Sequence, residues 1–101
     1  MIKLVFVDNK EVKGFIFGEV VTKGGLQTKR RKILAVHEIG VEKDSRHLGI
    51  GTKLMNEIKR IAINKGAKEI SLSVWSFNEK AFNFYIKNGF EIQTFRMEFK
   101  I

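Results

Sequence analysis

Between Val41 and Ile50 the hydrophobic pattern of this chain changes period. Before that point apolar residues come in short runs with strand-type spacing, and after it Ile50, Leu54, Ile58 and Ile61, with Met55 and Ala62 beside them, form one face at helical spacing. A chain with this pattern must enter a helix directly from a strand. At the junction lies the stretch SRHLGIGTKLMNEI, Ser45 to Ile58, with glycines at 49 and 51 where the helix has to begin. Glycine weakens a helix interior by roughly 1 kcal/mol relative to alanine. Gly49 and Gly51 therefore mark unusual torsions, or an approach closer than a Cβ would allow.

The rest of the chain reads around that junction. Met1 to Val7 is predicted as a strand, Asp8 to Lys10 as a tight turn and Val12 to Val21 as a second strand, whose glycines at 14 and 18 point to a bulge or close packing. Lys23 to Lys32 carries a loop. Ile33 to Val41 is a third strand, apolar on both faces and so expected at the centre of a sheet. Gly66 is placed to end the helix in the left-handed conformation, and KEISLSVWSF, from Lys68 to Phe77, alternates as a strand again over 70–76. Asn78 caps a short helix running to Lys87, with Gly89 past its end. The tail FEIQTFRMEFKI alternates Phe95, Met97, Phe99 and Ile101 as a closing strand. The expected order is β-β-β-α-β-α-β, an α+β (mixed α/β) fold with helices packed on a central mixed sheet.

At 101 residues the chain is expected to form one domain, 1–101, with a single core. No apolar run approaches the roughly 20 residues of a spanning helix, and the opening MIKLVFVDNK is too short for a secretory signal. There is no cysteine, which excludes a disulfide framework, a thiol nucleophile and a thiolate metal site; a cytoplasmic location is expected. The net charge of +8 suits nucleic acid, an anionic surface or a small polyanion such as a phosphorylated cofactor. The charge is spread along the chain, and its one cluster, Lys29 to Lys32, reads as a solvated hairpin shoulder.

A strand-turn-helix junction presents unpaired N–H groups and partial positive charge, a ready seat for pyrophosphate where glycine lets the backbone come close. Two familiar phosphate patterns fail. The dinucleotide fingerprint G-x-G-x-x-G lacks its third glycine, because Leu54 stands there, and the Walker A spacing is absent. Read from the strand, however, the junction is Val41, four residues, then Arg46-x-x-Gly49-x-Gly51. This resembles the acyl-CoA signature R/Q-x-x-G-x-G/A of the GNAT superfamily of N-acetyltransferases. A second block, NEKAFNFYIKNGFE, with Asn78, Ala81, Phe84, Tyr85, Gly89 and Phe90, is similar to that family's N…A…FY…GF segment.

The resemblance implies a GNAT-like fold in which the third strand and the strand at 70–76 run parallel and then splay, with acetyl-CoA, a co-substrate, lying between them. Ile39 and Val41 then offer backbone groups to the pantetheine arm. The loop Arg46, His47, Leu48, Gly49, Ile50, Gly51 and Thr52 supplies N–H groups to the phosphates, and Asn78 joins the cofactor contacts. The two glycines would keep a Cβ away from the pyrophosphate. Arg46 either meets the phosphates or braces the loop. Tyr85 matches the residue that protonates the leaving sulfur, and its phenol, ordinarily titrating near 10, suits an acid. The base is His37 or the adjacent Glu38. Strand geometry puts His37 on the face of Ile39 and Glu38 on the other, unless the strand bulges. Site-facing positions on the strand at 70–76 are Ser71, Ser73 or Trp75. No metal is implied.

Three readings are open. One is an acetyl-CoA-dependent N-acetyltransferase acting on a primary amine, of a small molecule or a protein, by direct attack in a ternary complex. The second is a binding module of the same fold that holds CoA without turnover. The third is a small basic nucleic-acid-binding domain, against which stand the core spacing of the aromatics and the lack of a recognised motif. Members of the family usually begin with a strand and one or two helices ahead of the residues seen here. On that comparison Met1 to Val7 is an apolar edge, Ile2, Leu4, Phe6, Phe15 and Phe17 lose cover, and a homodimer shielding them is expected, with Lys3 as the one edge-blocking charge.

Overall fold

The computed structural model describes residues 1–26 and 29–101, with the backbone alone at His47. Gln27 and Thr28, in the expected loop, lie outside the described residues. Strands β1 (Ile2–Asp8), β2 (Glu11–Lys23) and β3 (Arg31–Val41) form an antiparallel meander, and β4 (Glu69–Ser71) joins the far side of β3 in parallel, giving the sheet order β1-β2-β3-β4. A two-residue hairpin at Asn9 and Lys10, both with positive φ, connects the first two strands, as the Asp8–Lys10 turn requires. A 3₁₀ helix (Lys43–Leu48) leads into α1 (Ile50–Asn64), and α2 (Glu79–Lys87) follows β4.

α1 lies across one face of the sheet. Ile50, Leu54, Met55, Ile58 and Ala62 are buried against Ile16, Leu34 and Val36, with Ile2, Leu4 and Phe6 of β1 packed alongside. The helical face anticipated from the sequence is the one that is buried. The expectation that Ile2, Leu4 and Phe6 lack cover is corrected, because α1 supplies it; Val5 and Val7 are the exposed apolar residues of β1. Gly14 accommodates this contact: a Cβ there would stand 2.9 Å from Ile50 and 3.1 Å from Leu54. α1 ends at Lys65 and a left-handed Gly66. α2 starts with the Asn78 side chain accepting from Ala81 N–H at 3.1 Å, and the left-handed Gly89 follows its end.

Two strand expectations are corrected. The strand at 70–76 is paired only over Glu69–Ser71, because its parallel partner β3 departs after Ala35 and leaves 72–77 without a ladder. The closing strand at 90–101 is not formed either: among the described residues this segment pairs with no strand, and Phe95, Met97, Phe99 and Ile101 are exposed. Alternation marks a face that suits a sheet, but pairing also needs a neighbouring edge in register, and β4 offers only three paired residues.

Candidate active site

β3 is the strand that builds the site, and it does so by changing character midway. From Ile33 to Ala35 it is paired on both edges, to β2 and to β4. From Val36 onward only the β2 edge is paired, so one row of N–H and C=O groups faces the space that opens toward 72–73. There the register slips by one residue: Glu38 lies opposite Phe17 and Val36 opposite Gly18, leaving His37 as the extra residue of a β-bulge. Without the bulge, Glu38 would fall opposite Ile16 and point at the core under α1. With it, Ile39 takes that place and packs against the core, while Glu38 shares the other face with Phe17. His37 is bound to Glu19, whose strand position opposite Ala35 lies out of step with the core-facing Gly18 and Val20. The expectation that His37 shares the face of Ile39 is therefore corrected; His37 and Glu38 lie together on the face away from α1.

Val36, His37, Glu38, Ile39, Leu72, Ser73 and Tyr85 line a single cleft of about 190 Å³. Three elements remote in sequence converge here: the bulged half of β3, the unpaired segment after β4, and α2. Tyr85 is half-buried, its ring edge-on to Phe84 at 5.5 Å and to Phe90 at 5.8 Å between centroids. Burial raises its phenol above the ordinary tyrosine range, so the hydroxyl is a proton donor at neutral pH. Phe82 and Ile86, on the same helix, are exposed. Of the site-facing alternatives on the strand after Gly66, Ser73 lines the cleft, whereas Trp75 is exposed and stacks on Phe77.

The helix junction follows the end of β3 and meets α2 at Phe84, next to Tyr85. Gly49 caps α1 with φ +74°, a left-handed torsion that glycine adopts without cost, and among the described residues nothing lies within 4 Å of the position a Cβ would take. Gly51 is different: a Cβ there would stand 3.1 Å from the Phe84 ring and 3.7 Å from Val41. One glycine serves torsion and leaves open space; the other lets α2 close against α1. The first-turn N–H groups of α1, at Ile50, Gly51 and Thr52, have no acceptor within the helix, which suits the site for an anion. The Ile50 side chain itself is core, so only its backbone is available. Leu48 and Thr52 are exposed, and Leu48 borders a second hollow on the β1 side, with Phe6, Lys13 and Lys53.

Arg46 donates from Nε to the Val41 carbonyl at 3.2 Å, the bracing alternative for that side chain. Ser45, buried, donates to Glu42 at 3.2 Å, and Glu42 in turn meets Lys13 of β2 at 3.1 Å. The junction is thus tied to the sheet from both sides. Asn78 sits at the start of α2, its Oδ1 taken by the cap. No group of three or more potential metal-ligating residues occurs among the described residues. The residue that sequence reasoning missed is Glu19, whose Oε1 lies 2.9 Å from His37 Nε2. No local motif marks it, because its partner is eighteen residues away and is brought there by the pairing of β2 with β3.

The model of the acetyltransferase (GNAT) family matches residues 2–90, and the chain belongs to that family. It is similar to an uncharacterised N-acetyltransferase of Methanocaldococcus jannaschii, 38% identical over 63 residues, which are 62% of this chain and 28% of that protein. It is also similar to the thialysine N-epsilon-acetyltransferase of Mus musculus, 38% identical over 50 residues, 50% of this chain and 29% of that one. The matched stretch thus spans less than a third of the length of either relative. Among solved structures, the tetramutant of the BH1408 protein from Bacillus halodurans superposes with a TM-score of 0.92 at 29% identity, over 98% of this chain and 65% of that one. The aminoglycoside N-acetyltransferase AAC(6')-Iy, in complex with CoA, shares the fold with a TM-score of 0.85 at 16% identity, over 98% and 74%. No helix among the described residues is long and apolar enough to cross a membrane.

Proposed function

We propose that the chain carries the acyl-CoA half of an N-acetyltransferase site and moves an acetyl group from acetyl-CoA to a primary amine by direct attack in a ternary complex. The observation that carries this reading is the convergence of His37, Glu38 and Tyr85 on one cleft, with Phe84, the neighbour of Tyr85 on α2, lying against Gly51 in the first turn of α1. Acetyl-CoA is the co-substrate and supplies the activated thioester. Its pantetheine arm would lie along the unpaired edge of β3 at Ile39 and Val41. Its phosphates would meet the backbone from Arg46 to Thr52, through His47, Leu48, Gly49, Ile50 and Gly51, and Asn78 keeps its amide NH₂ as a further donor.

In this scheme His37, or Glu38 beside it, removes a proton from the acceptor ammonium, and the free amine nitrogen attacks the acetyl carbon. A backbone N–H at Ile39 or Gly40 holds the oxyanion that develops. As the C–S bond breaks, Tyr85 passes its phenolic proton to sulfur and regains one from the new amide nitrogen through solvent. One acceptor proton is released overall. The relatives act, by their names, on thialysine and on aminoglycosides, both of which offer an amine. An amine-bearing small molecule or protein is the proposed acceptor here. The exposed Val5 and Val7 of edge strand β1 support the homodimer as the oligomeric state, read by sedimentation equilibrium at micromolar concentration.

The test is thiol release from acetyl-CoA over a panel of primary amines, with calorimetric titration of acetyl-CoA alongside. Turnover with at least one amine is expected. Tight binding with no turnover across the panel would favour the CoA-holding module, and absence of binding would overturn both.

A further inference from the structure

We infer that Glu19 is a positioning residue for His37, and this rests on the assignment of His37 as the base. The Glu19 carboxylate lies 2.9 Å from His37 Nε2. A carboxylate has no proton to give, so the nitrogen facing it must carry one. The pair therefore selects the Nε2–H tautomer and leaves Nδ1 as the ring's only proton acceptor. It also anchors a ring that stands on the extra residue of a bulge, where the ladder alone does not hold it.

The sequence allows this contact because Glu19 lies directly opposite Ala35, whose side chain is a single methyl, and within reach of the diagonal position at 37. Among the described residues Glu19 makes no other ion pair, whereas Glu11, Glu42, Glu57, Glu69 and Glu98 are all committed to lysine or arginine. The other charged groups on this face are Glu38 on β3, Lys3 on β1, which lies opposite Phe17, and, farther along the strands, Lys23 and Arg31, the latter paired with Glu69; α2 and the 72–73 segment contribute Tyr85 and Ser73 to the cleft and no charge. Glu19 does not line the cleft, and its side-chain hydrogen bond goes to His37, so its part in the reaction is through that ring.

The experiment is two-bond ¹H–¹⁵N NMR of the imidazole rings at pH 7.5 on the whole protein without substrate, with His37 told from His47 by a His47→Gln variant. The wild type is expected to show the Nε2–H tautomer at His37, Glu19→Ala to show a mixture, and Glu19→Gln, which keeps an acceptor oxygen, to retain it. In steady-state assays Glu19→Ala should lower kcat about tenfold, a part of the 10²–10⁴ that a positioned base contributes, at unchanged KM for acetyl-CoA. Glu19→Gln should recover most of that loss. An Nδ1–H tautomer in the wild type, or Glu19→Ala with tautomer and kcat both unaltered, would overturn the inference. A changed tautomer with unchanged kcat would overturn its part in catalysis and the assignment of His37 as base together. A chain without turnover would count against the acetyltransferase reading alone, and the NMR result would still decide the pairing.

Discussion

The two halves of β3 differ as sharply as any two regions of this molecule. Ile33 and Leu34 are almost fully buried and lie between two strands; three residues later His37 and Glu38 are exposed, and one edge of the strand is bare. Both halves have similar strand-forming composition. What separates them is the bulge at His37 and the departure of β4 after Ser71. A single strand is thus core at one end and open surface at the other, and the proposed chemistry falls to the second half.

The largest expected effect tests the rigid half. Leu34→Ala should cost about 2–5 kcal/mol of folding free energy, since it opens a cavity in a site with no exposure, whereas Glu38→Ala should stay within about 0.5 kcal/mol. Urea unfolding of the two variants reads the contrast directly. Equal costs would mean that the halves are not distinct.

The chemical half is tested next. Tyr85→Phe should lower turnover by roughly 10²-fold or more while leaving acetyl-CoA affinity and the urea midpoint nearly unchanged. His37→Ala should lower turnover by roughly 10²-fold or more; unchanged turnover would pass the role of base to Glu38 or to the acceptor itself. A smaller effect is expected at the junction. Gly51→Val places its side chain against the Phe84 ring and should destabilise by about 1–3 kcal/mol, with acetyl-CoA affinity falling because α2 is displaced from α1. Gly49→Ala has open space and carries only the strain of the left-handed torsion, about 1 kcal/mol.

The smallest effect concerns the buried phenol. Because burial raises Tyr85 above its ordinary value in the folded chain, the ring keeps its proton to higher pH there than when unfolded. Stability is untouched below about pH 10 and falls as the pH rises beyond it, since only the unfolded chain ionises freely. The chain has one tyrosine, so the tyrosinate absorbance reports this group alone. It should rise at higher pH in the native protein than in denaturant, and coincident curves would remove the buried donor.

Much of this was legible in the sequence because it is local. The period change at the junction, the cap at Asn78 and the left-handed Gly66 and Gly89 each follow from a few neighbouring residues, and the structure has them where the pattern requires. Convergence of His37, Glu38, Ile39 and Tyr85 was accessible through the family resemblance. What was not legible is register. A bulge shifts one residue of pairing without altering composition, so the face of His37 could not be read from alternation, and Glu19 carried no signal at all. The tail failed for a related reason: Phe95, Met97, Phe99 and Ile101 have the right alternation, but alternation does not state which edge a strand will find. Gly51 was read as room for a phosphate, yet its neighbour is the Phe84 ring, a contact set by the docking of α2 on α1.

The claim at the centre of this account is that acetyl-CoA lies against the parted half of β3 and the start of α1. Backbone ¹H–¹⁵N NMR titration with acetyl-CoA tests it residue by residue. The account predicts large shifts at 36–41, 46–53 and 72–73, with Ile33, Leu34 and Ala35 nearly still. Shifts confined to another surface, or no saturable shifts at millimolar acetyl-CoA, would contradict it.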